Sequence, residues 1–179
     1  MHTKAVFRTA QALTEAGLLA LRFNFRGVGT STGSYDEGRG EREDVRAALD
    51  FLGDEEPGLP LVLAGFSFGS MVGLQVMMED SRVVAGVGLG LPVTMYDFGF
   101  LADLHRPLVV VQGERDQFGG ADEVRRTLPP LSPWIQVEPI EGSDHFFEGH
   151  FEELKDRVRG FFLRGAGGEA LARHSSAVG

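Results

Sequence analysis

Three observations predict an α/β protein, with a mainly parallel sheet of about five strands flanked by helices, for this chain of 179 residues. Short apolar runs recur without polar alternation, as in strands covered on both faces. Between them lie segments whose apolar residues fall at helical spacing. Gly17, Pro57-Gly58 and Pro92 punctuate junctions between the two kinds of segment. Such alternation implies one sheet with right-handed crossovers and working residues just past the carboxyl ends of strands.

Residues 4–16 place Val6, Phe7, Ala10 and Leu13 at helical spacing, and Gly17 stops that helix. Leu18 to Phe23 reads as the first strand, followed by a glycine-rich loop from Asn24 to Gly33. From Glu37 to Leu52, the stripe Val45, Ala48, Leu49 and Leu52 predicts an amphipathic helix over one sheet face. A turn at 54–58 leads to the strand 60–66 and then to a Met- and Leu-rich helix. Further strands are expected at 83–91, 107–113 and 134–140, with an irregular stretch at 94–105 and a short helix at 121–128. The last helix spans about 148–163, with Phe151, Leu154, Val158 and Phe161 inward. One domain over 1–164 results, and 165–179, with Gly165-Ala-Gly-Gly168, is expected to be a flexible tail.

The junction at 60–73 carries the first chemical signal. A buried strand runs into Gly65-Phe66-Ser67-Phe68-Gly69 and then a helix, the context in which G-x-S-x-G forms a nucleophile elbow. The turn is so tight that side chains two residues either side of the serine would strike neighbouring backbone, hence the glycines. A serine hydroxyl needs a base, and the base needs an acid to orient it. Of five histidines, His145 alone stands in a loop just after a strand; His2 and His174 are terminal, His105 precedes a strand and His150 falls in the last helix. Asp116 lies just past the strand 107–113, with Glu114 as nearest rival, and Asp144 would have to fold back on its own backbone to reach His145. The order Ser67, Asp116, His145 is that of a serine–acid–histidine triad, each member following a different strand.

Several other chemistries are excluded. The charge of −9 offers no basic face for nucleic acid. Gly27, Gly29 and Gly33 miss the G-x-G-x-x-G spacing, and no Walker loop follows. His145, Glu148 and His150 do not fit the spacing of a helical zinc site, so no metal and no organic cofactor are implied. No segment has the apolar length of a membrane span, and the first residues carry no apolar signal region. With no cysteine, a reducing cytoplasm is the expected home.

Five stretches stand out together: Leu21-Arg-Phe-Asn-Phe-Arg-Gly-Val-Gly-Thr-Ser-Thr-Gly33, Gly38-Arg-Gly-Glu-Arg-Glu-Asp44, Ala64-Gly-Phe-Ser-Phe-Gly-Ser70, Val111-Gln-Gly-Glu-Arg-Asp116 and Gly142-Ser-Asp-His145. In them the chain resembles the small, lidless α/β-hydrolases close to dienelactone hydrolases, a group of predicted esterases. This resemblance carries expectations for the site. It implies an α/β-hydrolase fold with Ser67 as nucleophile, Asp116 as acid and His145 as base. It also implies the Phe68 N–H as one oxyanion donor and a site bordered by the loop at Arg26-Gly27.

One departure stands out. In the family a strand and a His-Pro…Gly-Gly stretch precede the first helix and supply the second oxyanion donor, whereas here Met1-His-Thr-Lys-Ala-Val aligns just after it. Loss of one such donor costs roughly a hundred- to a thousand-fold in rate. The expectation is a chain shortened at its N-terminus: either it starts at an internal methionine of a longer product, or the strands at 18–23 and 60–66 pair directly across the gap. The implied reaction is hydrolysis of a small ester or thioester in an open site, because 91–107 is too short for a lid. Phe66, Phe68 and Phe146 would form an apolar wall for short acyl chains, although core packing is the simpler reading of Phe66. The alternatives are a non-catalytic binding module with an incomplete oxyanion hole and, on the same triad, a peptidase. Substrate identity and oligomeric state are not specified by these residues.

Overall fold

Four parallel strands, not five, form the sheet in the computed structural model, which describes residues 3–128 and 132–178. They are β1 (Leu61–Phe66), β2 (Val83–Leu89), β3 (Leu108–Gly113) and β4 (Ile135–Ile140), hydrogen-bonded in that spatial order. The helices are α1 (Lys4–Glu15), α2 (Arg39–Glu55), α3 (Phe68–Glu79), α4 (Ala121–Thr127), α5 (Phe151–Arg164) and α6 (Ala166–Val178), and a single 3₁₀ turn covers Gly99–Asp103 in the irregular stretch. The result is an α/β-hydrolase fold in three layers.

The continuous apolar strands explain the layering. Side chains alternate across a strand, so β3 sends Leu108 and Val110 to one face and Val109 and Val111 to the other. On the first face they meet Val45 and Leu49 of α2 and Met71, Leu74 and Met77 of α3. On the second they meet Ala5 and Ala12 of α1 and Leu154, Val158 and Phe161 of α5. Gly17, with φ of 88°, ends α1 in the left-handed conformation its position demands.

Two expectations are corrected. Leu18–Phe23 is not a strand: it joins no ladder, and Leu19, Leu21 and Phe23 are exposed. Nor does it close onto β1. The two segments line one groove of about 760 Å³, together with Leu13 of α1 and Leu49 of α2. An apolar run supplies strand propensity, but a ladder also needs a partner edge about 4.8 Å away. The second correction concerns 165–179. Instead of a frayed tail, Ala166–Val178 forms α6, with Ala170 buried and Leu171 packed against the cluster beneath α5. The glycines that read as flexible permit close approach: a Cβ on Gly167 would lie 2.5 Å from the Phe161 ring, and one on Gly168 2.1 Å from the Phe162 carbonyl oxygen.

Candidate active site

Three loops at the carboxyl ends of the strands converge on one point. Ser67 sits between β1 and α3 with φ 54° and ψ −123°, a positive-φ conformation rare for a residue with a side chain. A Cβ on Gly65 would lie 2.3 Å from the carbonyl oxygen of Gly69, so only glycine fits there. The Ser67 N–H donates to the Leu89 carbonyl at the end of β2 at 2.9 Å, which fixes the elbow to the sheet. Asp116 follows β3 and His145 follows β4, and both are buried. Gly113 lets their loops touch, since a Cβ there would stand 2.5 Å from the Ser143 carbonyl oxygen.

His145 Nδ1 lies 2.8 Å from Asp116 Oδ2, and His145 Nε2 lies 2.9 Å from Ser67 Oγ. A carboxylate can only accept, so Nδ1 carries the proton in the neutral ring and Nε2 accepts from the Ser67 hydroxyl. The imidazole is walled by aromatic rings: Phe66 with centroids 4.9 Å apart, Phe118 at 4.8 Å and Phe146 at 5.2 Å. Phe146 is 51% exposed, whereas Phe66 also packs into the cluster under α1 and α5. The Phe68 N–H opens α3 and is therefore among those a helix leaves without an internal acceptor.

The rivals are placed elsewhere. Asp144 turns its Oδ1 to the Phe146 N–H, Glu114 reaches the Gly142 N–H, and His150 precedes α5. Among the described residues no group of acidic or histidine side chains could hold a metal ion. Arg26 donates through Nη2 to Asp44 Oδ1 at 2.8 Å, through Nε to both carboxylate oxygens, and through its backbone N–H to Oδ2. Those bonds hold the Asp44 carboxyl below its usual range. A substrate-binding role for that guanidinium would require breaking the pair. Gly27, with φ of 71°, closes the turn through its N–H to Thr32. The same loop sends Phe25 edge-on to Phe68, with centroids 5.9 Å apart.

Besides Phe118, sequence reasoning missed four members of this arrangement. Tyr35 and Tyr96 flank the Phe68 ring. Gly90 leaves room for the imidazole, because a Cβ there would stand 3.1 Å from its ring atoms. The fourth is Gln112, and one signal pointed to it: a polar residue closing an otherwise apolar strand.

Residues 1–156 match the family described as alpha/beta hydrolase domain. An uncharacterized protein of Rickettsia prowazekii is 34% identical over 172 residues, covering 91% of this chain and 72% of that protein. Among solved structures, an alpha-beta serine hydrolase homologue from Coxiella burnetii superposes with a TM-score of 0.83 at 34% identity, covering 89% of this chain and 76% of that one. A lidless serine hydrolase from Xanthomonas campestris does so at 0.83 and 33% identity, covering 92% of this chain and 74% of that one.

Proposed function

The chain belongs to the alpha/beta hydrolase domain family, and from that premise we propose that it is a serine esterase hydrolysing a small ester or thioester through Ser67, His145 and Asp116. The observation that carries this reading is the unbroken relay from Ser67 Oγ to His145 to Asp116, at 2.9 Å and 2.8 Å. In the proposed reaction His145 Nε2 takes the Ser67 proton as Oγ bonds to the carbonyl carbon. The resulting oxyanion is met by the Phe68 N–H. His145 returns the proton to the departing alkoxide or thiolate, leaving an acyl-serine. Water, deprotonated by the same nitrogen, then releases the acid. Asp116 keeps the imidazole in the required tautomer throughout.

Phe68 and the half-exposed Phe146 favour short apolar acyl groups. The same proposal includes a small-molecule substrate, with no nucleic acid or membrane as partner, and a cytoplasmic home. Among the described residues no helix is long and apolar enough to cross a membrane.

The test is hydrolysis of p-nitrophenyl acetate by the chain and by Ser67→Ala, with circular dichroism confirming that both fold. Loss of on the order of 10⁴-fold or more is expected in the variant. Equal activity in both overturns the mechanism. Two folded but inactive proteins point instead to a non-catalytic binding module.

A further inference from the structure

Gln112 is fully buried in β3, and each end of its amide is engaged. Oε1 accepts the Leu91 N–H at 2.7 Å. Nε2 donates to Asp116 Oδ2 at 2.9 Å and to the Gly119 carbonyl at 2.7 Å, with the Leu91 carbonyl more distant at 3.4 Å. The amide cannot flip, because an N–H faces one end and acceptors face the other. Its donor meets the very carboxylate oxygen that His145 Nδ1 meets. The other oxygen, Oδ1, accepts the Phe118 N–H at 2.8 Å. Asp116 is thus gripped by a backbone N–H, a histidine and one neutral amide. Through Leu91 the same amide holds the loop that contains Gly90, where the imidazole rests.

We propose that Gln112 is a positioning residue for the Ser67–His145–Asp116 relay: its amide fixes the rotation of the Asp116 carboxylate and shares the oxygen that orients His145. This inference rests on the esterase reading of the site. The two polar donors on Asp116 Oδ2 divide its negative charge between them. Without Gln112 the carboxylate can turn about its last torsion, and all the charge on Oδ2 falls to the histidine. Among the described residues, the titratable group bonded to Gln112 is Asp116, which in turn bonds His145; Glu114, Arg115 and Asp144 on the surrounding loops are exposed.

Two variants separate positioning from simple core filling. Gln112→Met keeps the length and removes the polar grip. It should lower kcat about 10- to 100-fold with little change in KM, since small misplacements of a reacting group have effects of that size. Gln112→Glu keeps the acceptor for the Leu91 N–H. While protonated it gives its one O–H to Asp116 and forgoes the bond to the Gly119 carbonyl; once ionised it sets two carboxylates face to face. Its kcat/KM should therefore acquire an alkaline fall that neither the wild type nor Gln112→Met shows. A merely structural glutamine gives no such limb.

A second readout needs no substrate: the far-downfield proton resonance of the His145 Nδ1–H bonded to Asp116. It should move, or be lost to exchange, in folded Gln112→Met. An unmoved resonance in that variant overturns the proposal, as does the absence of one in the wild type when exchange is slowed by cooling, since no bond would then exist to position. If Gln112→Met does not fold, the isosteric Gln112→Glu carries the test, its resonance expected to move as pH rises and an unmoved one overturning the proposal. Should Ser67→Ala prove as active as the wild type, the esterase reading falls while the resonance still decides Gln112.

Discussion

Strands β1 and β3 both read as apolar runs in sequence, Gln112 apart, and differ sharply in surroundings. Every residue of β3 is buried, whereas in β1 only Leu61 is, and Ala64 is exposed. The difference is one of place. β3 has a neighbour on both edges, β2 and β4; β1 pairs with β2 alone, and its other edge faces the groove shared with Leu18–Phe23. The proposed nucleophile hangs from the edge strand, while its acid grows from the enclosed one. An apolar run therefore predicts a strand and says nothing of which side of the sheet will be left open.

Hydrogen exchange should sharpen that contrast most. Amides of β3 are expected to exchange only through global opening, and those of Leu18–Phe23, outside any ladder, near the unprotected rate. The expected gap is several orders of magnitude, and similar protection in the two segments would break the comparison. Core truncation should follow the same line. Leu108→Ala, at a fully buried position of β3, should cost about 2–5 kcal/mol in denaturant unfolding. Leu21→Ala, on the exposed segment, should stay within about 0.5 kcal/mol.

A smaller effect than core truncation concerns the loop beside the groove. Its tie is the Arg26–Asp44 pair, which lowers the Asp44 carboxyl below its ordinary value. A carboxyl lowered by folding stabilises the fold above its unfolded value, near 4, and that contribution is lost as pH falls through the lowered folded value. Asp44→Asn should thus cost about 1 kcal/mol at neutral pH and show a shallower loss of stability below about pH 4 than the wild type. Parallel acid melting curves for the two proteins would remove the pair from the account.

Much of this was legible in the sequence because it rests on local rules. Gly65 and Gly69 around Ser67 announced a turn that tolerates no Cβ at Gly65, and strand ends told which acid and histidine share its edge. What escaped was contextual. Leu18–Phe23 reads as a strand because apolar periodicity cannot report a missing partner edge. Gly167 and Gly168 read as a tail because the same residue serves freedom and close packing, and only the Phe161 ring and the Phe162 carbonyl decide between them. That the Arg26 guanidinium pairs with Asp44, eighteen positions on, could not be read from sequence either.

The backbone of Ser67 carries a further implication. A non-glycine residue at φ 54° is held at a cost of about 1–3 kcal/mol, and domains as a rule hold only about 5–15 kcal/mol of net stability. A sizeable share of this molecule's margin against heat is thus committed at a single residue. Selection for thermal endurance alone would favour glycine there, so endurance and the display of that hydroxyl pull in opposite directions.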